Sequence, residues 1–204
     1  MSSLRPSTVH RVLHACLASG CSGALLLTNA PQASAASACV NFEPTPAAGT
    51  TYGTPLGQTP GSVVLFASGL IGSVERFTTP AGGSFFNLAR VENPPTAFAT
   101  PPRALRLNNI AMRFHFFALP FRPTRLTFRY LDLGGLENLA INGQAPFMGN
   151  LSTPPAAIAG FGISASSAAV PGGRRGLVTI QGPNLRDVSI GGQELWIDQV
   201  CASN

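Results

Sequence analysis

Two cysteines, Cys39 and Cys201, bracket nearly all of the fold-forming pattern in this chain. A bridge between them would force the first and last strands to lie side by side, because a disulfide holds its two Cα atoms within about 7 Å. Whether they pair depends on the other two cysteines, Cys16 and Cys21. Those sit in a head whose first 14 residues carry Arg5, Arg11 and two histidines but no acid. An apolar run with Ala24, Leu25, Leu26 and Leu27 follows, and then the small residues Ala33, Ser34, Ala35, Ala36, Ser37 and Ala38. A basic head, a short apolar middle and a small-residue site form the pattern of a secretory signal over residues 1–38, cleaved near 35–38. The apolar run is too short and too interrupted by serine and glycine for a membrane span. A lipoprotein cut before Cys21 would leave the leucines on the wrong side of the cut, and one before Cys39 lacks the usual upstream leucine. Removing the signal removes Cys16 and Cys21. In an oxidising compartment the remaining pair is expected as a disulfide, contributing on the order of 4 kcal/mol by closing so long a loop. The expected location is secreted, extracellular or periplasmic, with 39–204 as a single domain.

What lies between the two cysteines reads as strands. The chain is 45% hydrophobic and only 10% charged, which is globular rather than disordered. Its 22 glycines and 18 prolines are spread along the chain rather than clustered, which suggests short strands separated by turns. Candidate strands fall at 38–43, 62–67, 70–78, 84–91, 104–108, 110–117, 125–131, 138–142, one or two within 158–170, then 176–181, 185–190 and 194–201. Thr50 to Gly53 reads as loop, and Gly191-Gly192 as the hairpin joining the last two strands. The clearest alternation sets Met112, Phe114 and Phe116 against Arg113, His115 and Phe117. A second sets Leu126, Phe128 and Tyr130 against Arg125, Thr127 and Arg129. One apolar and one polar face is the mark of a half-buried antiparallel sheet. The whole is expected to be all-β, a two-sheet antiparallel sandwich of jelly-roll type. A Pro-rich connector at 93–102 could instead join two domains, but neither side has enough strands for its own core.

Charge and chemistry narrow the function. Every cation is an arginine, and without Arg5 and Arg11 the chain keeps 11 of them against 8 acids, a net of +3. So mild an excess on a secreted chain does not point to nucleic acid. His115 is the one histidine beyond the signal and stands mid-strand, with no G-x-S-x-G elbow to present a serine, so a catalytic triad is not expected. Glu194 and Asp198, four apart on a strand, would stand about 13 Å apart, beyond the roughly 5–9 Å of glycosidase carboxylates. Calcium suits oxygen ligands, and the bridge would bring Glu43 and Asp198 near one another. If Cys39 faces Cys201, however, Glu43 falls opposite Ile197 and Asp198 opposite Phe42. A bulge or a loose strand end is then needed to turn both acids to one side. Arg113, Arg125 and Arg129, with His115, could form a basic stripe for an acidic polysaccharide. Tyr130 and Trp196 are the aromatic candidates beside it.

CVNFEP at the start, GGQELWIDQVC at the end, and LRLNNIAMRFHF and LAINGQ between them resemble secreted bacterial jelly-roll proteins of the carbohydrate-binding-module kind, the galactose-binding-like sandwiches. The resemblance implies a structural calcium held by Glu43 and Asp198, although Gln199 stands where a second acid is common. It also implies a glycan as ligand. The expected function is therefore a secreted, non-catalytic binding module for an extracellular or envelope glycan. The alternatives are a structural or surface-assembly protein and a glycan-active hydrolase.

Overall fold

The computed structural model describes residues 36–95 and 103–204, and the signal reading therefore falls almost wholly outside the described residues. The chain first forms β1 (Ser37–Val40), β2 (Thr51–Gly53), a single 3-10 turn (Thr54–Leu56), β3 (Val63–Leu65), β4 (Ile71–Glu75), β5 (Phe77–Thr78), β6 (Ser84–Phe85) and β7 (Leu88–Glu92). It continues with β8 (Ala104–Asn108), β9 (Ile110–His115), β10 (Arg125–Asp132), β11 (Glu137–Ile141), β12 (Phe147–Gly149) and β13 (Ala157–Ile158). It closes with β14 (Phe161–Val170), β15 (Gly173–Gln181), β16 (Asp187–Gly192) and β17 (Leu195–Ser203).

These strands make a two-sheet antiparallel sandwich. The nine-stranded sheet runs β13-β14-β15-β10-β17-β8-β7-β2, with β1 also on β17. The six-stranded sheet runs β12-β11-β16-β9-β4-β3, and β5 and β6 form a small separate hairpin. From β8 onward the chain passes repeatedly from one sheet to the other, as a jelly roll does. The first and last strands are neighbours: Cys39 faces Cys201 and Val40 faces Val200, and the two cysteines are bridged. Ser37 and Ala38 already pair with Ser203 and Ala202.

Alternation puts the large apolar side chains between the sheets. Met112 and Phe114 from β9, with Phe116 just beyond it, meet Leu126, Phe128 and Tyr130 from β10, all buried. Each such side chain contributes roughly 1.5–3 kcal/mol by leaving water. A smaller cluster of Ala104, Leu131 and Trp196, covered by Leu133 and Val170, is separate from this core.

Three local expectations are corrected. Residues 51–53 are strand rather than loop: Thr51 pairs with Arg90, and Tyr52 is buried in the core. Phe147–Gly149 is a further strand, short and without alternation, at the edge of the six-stranded sheet. Gly191-Gly192 is not a hairpin. Both glycines lie within β16, opposite Ala111 and Ile110, and β17 belongs to the other sheet. A Cβ on Gly191 would stand 2.8 Å from the Ala111 Cβ, so glycine serves close strand approach here rather than a turn. Around the connector at 93–102, of which 96–102 lie outside the described residues, β7 and β8 pair directly, Glu92 to Ala104. The connector therefore joins neighbouring strands of one sheet.

Candidate functional site

The closing seam brings Glu43 and Asp198 together through the irregularity their register requires. Along β10, Thr127 faces Cys201 but Arg129 faces Asp198, so β17 carries one extra residue between them. Gln199 has φ 48° and Phe42 has φ 48°, a left-handed backbone at each strand that re-aims the neighbouring acid. Both Asp198 carboxylate oxygens and Glu43 Oε1 are buried without a hydrogen-bond partner. Burial, with the Glu43 charge adding to it, pushes Asp198 up to about 7, while the nearby Gln199 backbone N–H and the Arg129 charge act in the opposite sense. Arg103 Nε lies 3.9 Å from Glu43 Oε1. Orphaned, buried carboxylate oxygens with no nitrogen or sulfur ligand beside them fit a hard cation. Among the described residues no three or more His, Cys, Asp or Glu are placed to hold a metal ion together, so carbonyl or water oxygens would complete such a shell.

The arginines do not form one stripe. Arg125 and Arg129 lie on β10 in the nine-stranded sheet, whereas Arg113 lies on β9 in the six-stranded one. Arg113 Nε stands 3.9 Å from both Glu75 and Asp187, and this spends its charge within the protein. Arg129 Nε donates to Gln199 Oε1 at 2.7 Å and borders a shallow groove of about 280 Å³ with Tyr130, Ser166 and Arg175. The Tyr130 ring belongs to the core, and its hydroxyl donates to the Ser166 carbonyl at 3.3 Å. Trp196 is only 4% exposed and lies beneath the Arg106 guanidinium, 5.1 Å from its ring centroid. It is a packing residue and offers no open ring face.

A further concavity lies at loops that the sequence pattern did not single out, with His115 the one earlier candidate among its lining residues. The loop after β9 (residues 116–124) and the loop before β16 (182–186) enclose a cleft of about 910 Å³. Phe117, 75% exposed, stands in it beside His115, Phe121, Arg122, Arg186 and Asp187. Asn142 sets the second loop: its Oδ1 accepts from the Arg186 N–H at 2.8 Å and its Nδ2 donates to the Asn184 carbonyl at 3.0 Å. Ser73 Oγ donates to Glu75 at 2.8 Å and lies 3.0 Å from His115 Nε2. With the one serine proton used, Nε2–H must be the donor, and Nδ1 is left as an acceptor. Burial holds the imidazole below its usual 6.5, with Asp187 and Glu75 opposing and Arg113 reinforcing the shift. The signal that would have found this cleft is FFALPFRP: Pro120 and Pro123 end the alternation and leave Phe117 and Phe121 outside any strand. Among its lining residues Asp187 is the one carboxylate, whereas glycoside hydrolysis uses two. No family model matches the chain, and no curated protein or solved structure matches it.

Proposed function

We propose that the chain is a secreted, non-catalytic β-sandwich module that recognises an extracellular or envelope glycan in the cleft between residues 116–124 and 182–186. The observation that carries this reading is the exposed Phe117 ring set in a concavity among Arg122, Arg186, His115 and Asp187. The apolar C–H face of a sugar ring suits the negative face of an aromatic ring, and the surrounding donors and acceptors suit its hydroxyls. Arginine among these donors favours an acidic glycan. The resemblance of the end motifs to galactose-binding-like modules points the same way. It also supports a structural calcium at Glu43 and Asp198, whose buried oxygens have no hydrogen-bond partner. The terminal pattern over 1–38 and the Cys39–Cys201 bridge support export, and no helix among the described residues is long and apolar enough to cross a membrane.

A glycan array probed with wild type and Phe117→Ala tests the cleft. Wild type is expected to bind a subset of glycans and Phe117→Ala to lose at least tenfold in affinity; equal binding by both would remove the cleft from the function. A second reading, surface assembly, is favoured by β3. This edge strand of the six-stranded sheet exposes Val63 at 64% and Leu65 at 77%, a surface suited to pairing with another copy. A wild type that binds no glycan but self-associates in sedimentation would replace the first reading with this one.

A further inference from the structure

Four of the acids, Glu43, Glu75, Glu92 and Asp187, each have an arginine within 4 Å. Asp132 and Glu137 are both buried, at 3% and 0% exposure. Asp132 is the last residue of β10 and Glu137 the first of β11. The turn between them reverses through Gly134 and Gly135, at φ 131° and 92°, conformations that glycine adopts without strain. Two consecutive residues bring the acids to one place: Asn150 donates to Asp132 and Leu151 to Glu137.

The remaining contacts surround the pair with one oxygen left over. Asp132 Oδ1 accepts from the Gly134 N–H at 2.7 Å, and Oδ2 accepts from Asn150 Nδ2 at 3.1 Å. Glu137 Oε2 accepts from the Leu151 N–H at 3.1 Å. Glu137 Oε1 has no donor at all, on a residue 0% exposed. Two adjacent carboxylates held out of water repel each other, and either a cation between them or a proton on one of them relieves the repulsion.

We propose that Asp132, Glu137 and Asn150 form a buried binding site for a hard divalent cation, calcium by class, separate from the seam at Glu43 and Asp198. Asp132 and Glu137 supply carboxylate oxygens, and the Asn150 amide adds its Oδ1 if it turns inward and releases the Ser152 N–H that Oδ1 now accepts at 2.8 Å; no imidazole or thiolate is present to favour a softer metal. Asn150 is the one residue of the three that is exposed to solvent. Arg129 pairs with Asp198 and Asp132 with Leu195, which sets the two acid sites three residues apart along β10, about 10 Å.

Paramagnetic broadening by Mn²⁺ in the folded wild-type protein, read on assigned backbone amides, tests the proposal without altering the site. Broadening of Gly134 and Leu151 that excess Ca²⁺ reverses is the expected result. Glu137→Gln, which keeps the shape and removes the charge, should abolish it while any broadening at Gln199, beside the seam, persists. Broadening confined to Gln199 would overturn this site and leave the seam reading intact; broadening of Gly134 that Asp198→Asn removes would also overturn it. Gly134 and Leu151 indifferent to Mn²⁺ and Ca²⁺, with a carboxyl that titrates near neutral pH, would replace the cation by a shared proton.

Discussion

His115 reaches the cleft from the end of β9 with its ring 5.8 Å from that of Phe117 and its Nε2 held at Ser73. Because burial lowers its folded-state pKa below 6.5, the fold favours the neutral ring. The stability this confers is fully present above about pH 6.5, the unfolded value, and is lost as pH falls through the lower folded value. An NMR titration of the imidazole should give a midpoint below 6.5, and His115→Gln should flatten the acid side of the melting-temperature profile; a midpoint at or above 6.5 would contradict the burial argument. Across neutral pH the cleft then holds an uncharged His115, and its cationic character comes from Arg122 and Arg186.

Single strands depend on approaches too close for any side chain. A Cβ on Gly176 of β15 would overlap the Ser166 carbonyl oxygen and stand 2.8 Å from Tyr130 Cε1, between the two neighbouring strands. Gly176→Ala should cost about 2 kcal/mol and lower the melting temperature by roughly 4–8 °C. Gly162→Ala on β14, whose Cβ would find nothing nearer than the Gln181 carbonyl at 3.7 Å, should stay within about 0.5 kcal/mol of wild type. Equal effects would mean that strand spacing does not set the cost. This dependence also shows what a sequence reveals. The faces of β9 and β10 are legible because Met112, Phe114, Leu126 and Phe128 alternate within one strand, a local property. Gly191-Gly192 misleads because a glycine pair reads the same in a turn and in a crowded ladder, and only β9 decides between them. The seam acids were legible through the cysteine register, while the placement of Asp132 beside Glu137 was not, since it depends on a turn and on Asn150 and Leu151 just past β12. Arg113 separates from Arg125 and Arg129 because consecutive strands enter different sheets, a choice made by long-range packing.

The bridge between β1 and β17 acts on the whole molecule. Its loss in a Cys39→Ser, Cys201→Ser double variant should destabilise the fold by about 4 kcal/mol, or roughly 8–16 °C in melting temperature; an unchanged melting temperature would mean that the loop-closure argument fails here. The covalent tie falls on the strand that the sheet can least do without. β17 lies between β10 and β8, and without it the strands β13, β14, β15 and β10 have no hydrogen-bonded connection to β8, β7 and β2. In order of synthesis, the two halves of the nine-stranded sheet are therefore both made before the strand that joins them. A chain still short of Leu195 presents two unpaired edges, β10 and β8, that the finished sheet does not, and depends on their protection until β17 arrives.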